Sequence, residues 1–186
     1  MILNDILNGI DYKLVTGNLL KNIEQIDYDS RKCKKNSLFV AIKGSKTDGH
    51  NYINKLIDDG ITSFICEDVP EFKGNVSEIT IIQVDNTRKA LALISKNWFN
   101  NPTRNIKVIG VTGTNGKTTI TYLLKAVFDK QMIKTGIIGT TGVFCLDEFE
   151  EATHTTPESL ELFAHFNKMR NSGIGFIFLE VSSHDL

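Results

Sequence analysis

Apolar positions in this chain form two kinds of pattern, short compact runs and longer stretches at helical spacing. Leu38-Phe39-Val40-Ala41-Ile42 is unbroken, the signature of a buried strand. Ile61 to Cys66 and Ile79 to Val84 read as two more strands. Between the first two, Tyr52, Ile53, Leu56 and Ile57 mark a helix that ends at Gly60, a suitable C-terminal cap. Asp85-Asn86-Thr87 can cap a further helix carrying Ala90, Leu91, Leu93, Ile94 and Trp98. Ahead of all these, Ile2, Leu3, Ile6 and Leu7 suggest a short helix, followed to residue 26 by weakly patterned polar and aliphatic residues.

Asn100-Asn101-Pro102-Thr103 breaks the pattern and reads as a linker. Beyond it, Lys107 to Val111 is a strand, and Tyr122, Leu123, Leu124, Ala126, Val127 and Phe128 form the apolar face of a helix. Thr135 to Val143 reads as one strand with Gly139-Thr140-Thr141-Gly142 near its end, and Asp147 to Glu151 as an acidic, solvated turn. Around His154 to Leu162, a threonine cap, a proline in the first turn and early acids mark a helix start. That helix stops at Ser172-Gly173, and Gly175 to Val181 is a buried strand. Strands alternating with helices give an α/β class. The expected domains are 1–102, a small N-terminal α/β domain, and 103–186, the first part of a phosphate-loop domain.

Composition excludes several classes. The 186 residues are 41% hydrophobic and 23% charged, which fits a globular chain rather than a disordered one. A formal net charge of -1 gives no overall electrostatic case for nucleic acid or an anionic membrane. No apolar run reaches bilayer length, so membrane insertion is not expected. The start, Met1-Ile2-Leu3-Asn4-Asp5, lacks the basic region and apolar core of a secretion signal. Cys33, Cys66 and Cys145 are odd in number and scattered, which favours reduced thiols in the cytoplasm over disulfides or a zinc site.

Candidate chemistry centres on Val111-Thr112-Gly113-Thr114-Asn115-Gly116-Lys117-Thr118-Thr119, set between a strand and a helix. Gly113 and Gly116 allow the main chain to approach an anion closely. Helix-start N–H groups then point at phosphates, Lys117 adds positive charge, and Thr118 offers a hydroxyl to magnesium. The form is shorter than the common G-x-x-x-x-G-K-[ST], whose first glycine would fall at Val111. An ordinary strand-to-helix turn is the bland alternative, but strand, turn, Lys-Thr-Thr and helix agree on a nucleotide. Glu180 interrupts the last apolar strand near its end, where an acid beside a phosphate-loop strand is the usual partner for magnesium. An ion pair at the sheet end is the alternative.

Two polar clusters lie nearer the N-terminus. Tyr28-Asp29-Ser30-Arg31 combines carboxylate, hydroxyl and guanidinium, although surface turns often contain such triplets. Ser45-Lys46-Thr47-Asp48-Gly49-His50 follows a strand, where α/β folds usually place a ligand. The threonines at 155 and 156 are equally consistent with simple helix capping.

Taken together, Asp29-Ser30-Arg31, Asp48-Gly49-His50, Gly-Thr-Asn-Gly-Lys-Thr-Thr, Thr155-Thr156-Pro157-Glu158-Ser159-Leu160 and Glu180-Val181-Ser182-Ser183-His184 resemble the Mur ligase family. Within it, the last two stretches are similar to the MurE branch. The resemblance implies a UDP-binding domain followed by an ATP-binding central domain. The implied chemistry is ATP-dependent amide formation in cytoplasmic peptidoglycan synthesis, with ATP and Mg2+ required. A diamino acid would join UDP-N-acetylmuramoyl-L-alanyl-D-glutamate through an acyl phosphate.

By the same resemblance, Tyr28, Ser30, Ser45, Lys46 and Thr47 would hold the uridine diphosphate end. Thr155, Thr156 and Ser182 would hold the muramoyl-dipeptide end. Gly113, Thr114, Asn115, Gly116, Lys117, Thr118 and Thr119 would hold ATP, and Thr118 and Glu180 magnesium. His184 would lie at the same site, as a direct ligand or an orienting group; Lys117, Glu180 and His184 are the catalytic candidates. The family has a longer central domain and a third, amino-acid-binding domain that these 186 residues do not match. The expectations are therefore a central sheet with an uncovered apolar edge and an isolated chain that does not complete the ligation. Rival readings are MurF or a folylpolyglutamate synthetase, a non-catalytic binding module, and a generic phosphate-loop ATPase.

Overall fold

The computed structural model describes residues 1–44, 47–71, 78–151 and 156–182. The chain divides into two compact units, Met1–Trp98 and Phe99–Leu186.

In the first unit, β3 (Ser37–Val40), β4 (Ser63–Cys66) and β5 (Thr80–Gln83) come from the three apolar runs. Two strands have no apolar signature: β1 (Lys13–Thr16) is largely exposed, and β2 (Gln25–Asp27) is three residues long. The sheet order is β1-β5-β4-β3-β2. β2 to β5 are parallel and β1 is an antiparallel edge with an irregular register after Leu14. All four parallel strands therefore point their carboxyl ends at one sheet edge, where the loops after β2, β3 and β4 gather.

One face of that sheet is covered by α2 (Ile53–Asp58), entered through a 3-10 turn, Gly49–Tyr52. Ile53 and Leu56 pack there with Phe39, Phe64 and Ile81, and the two phenylalanine rings meet edge to face at 6.4 Å. α1 (Leu3–Ile6) and α3 (Thr87–Trp98) contact each other, tied by Asn97 Nδ2 donating to the carbonyls of Ile6 at 2.9 Å and Asn8 at 2.8 Å.

The second unit contains a 3-10 turn at Pro102–Asn105, β6 (Lys107–Val111), α4 (Lys117–Lys130), β7 (Thr135–Gly139), β8 (Gly142–Cys145), β9 (Glu148–Glu150), α5 (Ser159–Asn171) and β10 (Phe176–Glu180). Its sheet order is β6-β10-β7-β8-β9, parallel from β6 to β7 and antiparallel beyond. The single strand expected over Thr135 to Val143 is instead two: the chain reverses at Thr140-Thr141, and Gly139 pairs with Gly142. The expected acidic turn is partly a strand. Phe149 lies on Phe144 with ring centres 4.6 Å apart, and Glu148 pairs with Lys168 at 2.7 Å.

α4 also differs from expectation. Phe128 packs on Phe176 and Phe178, at 4.8 and 5.4 Å, but Ile120, Leu123 and Val127 are 47, 61 and 58% exposed. The apolar residues therefore form two stripes, and one faces solvent. β6 ends its sheet on one side, with Ile109 36% exposed. Among the described residues, no helix is long and apolar enough to cross a membrane.

The thiols offer a test of this packing. Cys66 and Cys145 are buried and Cys33 is half-buried. Burial pushes the Cys33 thiol up to about 12 and the Cys66 thiol up to about 11, with Asp27 and Asp29 adding to the first and Asp68 to the second. Thiolates are the reactive form, so native labelling by a thiol reagent at pH 8 is expected to be slow at Cys33 and Cys66; Cys145 is shielded by burial, and all three should react completely only on unfolding. Rapid stoichiometric labelling of the native chain would contradict this packing.

Candidate functional site

The phosphate loop leaves the end of β6 and enters α4 without a capping side chain. Gly116 occupies the N-cap with φ 82°, and Gly113 has φ 147°, backbone that a side chain would strain. The Ile120 N–H already returns to the Gly116 carbonyl at 2.9 Å, so the earlier N–H groups are the ones that a helix start turns outward. Lys117 Nζ bends back to donate to the Gly113 carbonyl at 2.7 Å, which holds its ammonium across the loop.

Glu180 closes β10, between β6 and β7, and is fully buried. Its carboxylate accepts from Thr118 Oγ1 at 3.0 Å, Thr140 Oγ1 at 2.9 Å and the Thr140 N–H at 3.4 Å; Thr121 Oγ1 lies 3.5 Å away and gives its proton to the Thr118 carbonyl at 2.9 Å. Gly139 makes room for it, because a Cβ there would lie 2.4 Å from Glu180 Oε1. Thr118 and Glu180, which the sequence separates widely, are thus direct neighbours. A carboxylate with surrounding hydroxyl oxygens is a hard-oxygen donor set, which fits Mg2+ rather than a soft metal.

Sequence reasoning gave no role to Gly139, Thr121 or Thr140. Each left a signal. Thr121 follows Thr118 by one helical turn, and Gly139-Thr140 ends a strand that flanks the strand of Glu180.

Thr156 is not a helix cap. α5 starts at Ser159 behind Glu158, and no side chain caps it. The Thr156 hydroxyl instead accepts from the Ser182 N–H at 3.3 Å, which brings two residues expected to hold the dipeptide end together. Thr155 and His184 lie outside the described residues, as do Ser45 and Lys46.

In the first unit, Tyr28 and Ser30 are half-buried in the turn that follows β2. Asp29 grips Arg31 through Nε at 2.9 Å and Nη2 at 2.7 Å, while the guanidinium side chain stays 86% exposed. The Arg31 guanidinium holds the Asp29 carboxyl down at about 2. After β3, the backbones of Lys43 and Asp48 form an isolated antiparallel bridge and the Gly44 N–H donates to the Thr47 carbonyl at 2.9 Å, with Thr47 exposed. A separate cavity of about 310 Å³ lies at the opposite, amino end of β4 and β5. Lys21 lines it and donates there to the Thr62 and Glu78 carbonyls, so its ammonium is spent on the fold.

Comparison with known proteins bears on these sites. The Mur ligase family catalytic domain matches residues 22–99, and the Mur ligase middle domain matches 111–186. A relative from Clostridium botulinum, named UDP-N-acetylmuramoyl-L-alanyl-D-glutamate--2,6-diaminopimelate ligase, is 45% identical over 186 residues, all of this chain and 38% of the relative. A solved structure of a ligase with that name superposes with a TM-score of 0.71 at 23% identity, over 99% of this chain and 36% of that one. The Thermotoga maritima MurF ligase in complex with ADP gives 0.55 at 21%, over 86 and 32%. At such identities the structural likenesses speak for the fold. The chain spans 38% of the length of the curated relative, and the two domain matches account for most of its residues. The chain belongs to the Mur ligase family.

Proposed function

We propose that this chain supplies the nucleotide-handling part of a MurE-type ligase, an ATP-dependent enzyme that joins a diamino acid to UDP-N-acetylmuramoyl-L-alanyl-D-glutamate in the cytoplasm. The diamino acid in the relatives' names is 2,6-diaminopimelate. The observation that carries this reading is the contact of Thr118 with buried Glu180 beside the Lys117 loop.

In the proposed reaction, an oxygen of the D-glutamate side-chain carboxylate bonds to the γ-phosphorus of ATP as the bond to ADP breaks, giving an acyl phosphate. The amine then bonds to the carbonyl carbon, inorganic phosphate leaves, and the amine gives up a proton. The difficulty is charge, since a carboxylate must approach a triphosphate. Lys117 and the first N–H groups of α4 would offset it. Magnesium, when bound, would neutralise phosphate charge further, and Thr118 and Glu180 are the residues that would hold it. Thr114, Asn115 and Thr119 would complete the contact with ATP. Thr156 and Ser182, with Thr155, would hold the dipeptide end; Tyr28, Ser30 and Thr47, with Ser45 and Lys46, the uridine diphosphate. His184 would sit near the phosphates. Isolated, the 186 residues are expected to bind these ligands without completing the ligation.

The reading is tested by calorimetric titration of the chain with UDP-N-acetylmuramoyl-L-alanyl-D-glutamate, with UDP-N-acetylglucosamine as control. Selective binding that Ser30→Ala weakens is expected; no selectivity in a folded chain would overturn it. For the second unit, Lys117→Ala is expected to weaken MgATP binding on the order of a hundredfold. The same variant should leave the thermal midpoint almost unchanged, because the ammonium's hydrogen bond is to one carbonyl of its own loop. Equal MgATP affinity in the variant would remove the phosphate role.

A further inference from the structure

Asparagine stands directly before glycine twice in the sequence, at Asn8-Gly9 and at Asn115-Gly116. That pair carries a chemistry of its own. The asparagine side-chain carbonyl can close an imide ring with the next backbone nitrogen, and glycine has no Cβ to hinder the approach.

At Asn115-Gly116 the surroundings leave the ring free to close. Both residues are exposed, in the turn between β6 and α4. Gly116 is the N-cap of α4, so its nitrogen lies outside the helical hydrogen-bond ladder. A Cβ added there would meet nothing within 4 Å, which leaves space beside that nitrogen. Among the described residues, none hydrogen-bonds to the Gly116 N–H or to the Asn115 side chain. Asn8-Gly9 differs, because Asn97 Nδ2 donates to the Asn8 carbonyl at 2.8 Å and pins the peptide that links the pair.

We propose that Asn115 is a spontaneous deamidation site, that its conversion disables the phosphate loop, and that bound nucleotide protects it. The last two parts rest on the nucleotide reading above. The Gly116 nitrogen gives its proton to water and bonds to Asn115 Cγ. The Cγ–Nδ2 bond breaks, and ammonia leaves after taking up a proton. Water then opens the imide at one of its two carbonyls. Opening at Cγ gives aspartate, and opening at the main-chain carbonyl gives isoaspartate. The net change is one amide and one water to one carboxylate and one ammonium, with no oxidation.

Either product opposes the loop's task. A carboxylate at 115 repels a triphosphate held by Lys117 and the first N–H groups of α4. Isoaspartate also lengthens the main chain between Thr114 and Gly116, which moves the N-cap. Protection comes from the same atoms. The attacking nitrogen belongs to one of the N–H groups that a helix start offers to phosphate. An anion against that N–H disfavours loss of its proton, so nucleotide binding and ring closure compete for one nitrogen.

The test incubates the 186-residue chain at pH 7.5 with and without MgATP, whose affinity for the fresh chain is measured first. Tryptic peptides are then mapped by mass spectrometry. Cleavage after Lys107 and Lys117 isolates Asn115 from Asn8. Asn115 should convert in the free chain, faster than Asn8. With MgATP at ten times its dissociation constant, conversion at Asn115 should slow about tenfold, because only the unoccupied fraction reacts. Asn8 should convert at the same rate in both samples. MgATP-binding capacity should fall in step with conversion at Asn115, and Asn115→Asp should weaken binding on the order of tenfold.

An intact Asn115 in the free chain overturns the modification site. Equal conversion with and without MgATP in a chain that binds it, or equal slowing at Asn8 and Asn115, overturns the protection. Undiminished MgATP binding by the converted chain overturns the loss of function. A fresh, folded chain that does not bind MgATP would instead overturn the nucleotide reading, and the map of the free chain then decides the modification by itself.

Discussion

Glu180→Gln is expected to leave the second unit at least as stable as the wild type while weakening magnesium-dependent nucleotide binding roughly a hundredfold or more. The two effects have different physical origins. A buried carboxylate surrounded by hydroxyls has lost its water, and hydrogen bonds alone offset that loss incompletely. Glutamine keeps the shape and removes the charge, and threonine hydroxyls can turn to accept its N–H groups. The unfolding free energy should therefore be unchanged or higher, by up to about 2 kcal/mol.

A divalent ion, however, needs the anionic oxygen. Titration with ATP in the presence and absence of magnesium should show the wild type gaining affinity from the metal and Glu180→Gln gaining almost none. Alanine at the same position should behave differently. It leaves the hydroxyls of Thr118 and Thr140 without this acceptor and opens a hole, a loss of about 3 kcal/mol or more. Full magnesium dependence in a well-folded Glu180→Gln would sink the metal role.

Gly139→Ala is expected to damage both fold and site. The added methyl would lie 2.4 Å from Glu180 Oε1 and 2.5 Å from its carboxyl carbon. Those atoms are not the free end of a flexible surface chain. They are held by Thr118 from α4 and Thr140 from the β7–β8 turn, so relief requires breaking several hydrogen bonds or shifting β7 against β10. About 3 kcal/mol is expected. For a unit of this size that lowers the thermal midpoint on the order of 10–20 °C. Circular dichroism melting checks it, and a midpoint within 2–3 °C of the wild type would mean that Glu180 moves aside cheaply. In that case magnesium dependence should fall without loss of stability, a pattern that alanine at a purely structural glycine does not produce.

The sequence made the fold legible where burial was two-sided. β3, β4, β5 and β10 are compact apolar runs because both of their faces are covered. β1 failed that test, since its residues are mostly exposed and their pattern carries no period. The β7–β8 reversal was hidden because Gly139 to Gly142 contains no residue that an extended strand forbids. β9 was hidden for a different reason: its two glutamates face solvent and only Phe149 seeks cover.

The site divides in the same way. Lys117, Thr118 and Glu180 stand out as candidates because each chemical type is unusual in its local setting. Thr140 could not, because its partner Glu180 is brought from another strand. Thr156, for which capping was the alternative, turns its hydroxyl to the Ser182 N–H instead.

The strand order of the second unit also constrains how it comes into being. Among the described residues β6 pairs with β10 alone, although β7 is the next strand to be made. During synthesis the phosphate-loop strand must therefore wait, without its sheet neighbour, until Phe176–Glu180 has left the ribosome and slides between β6 and β7. β10 is the keystone, and it carries the carboxylate that faces Thr118. Nascent chains arrested before Phe176 should yield a protease-resistant first unit and a second unit that is still digested. Resistance of both appears only once Glu180 emerges, so the nucleotide loop acquires its support and its metal partner in the same step.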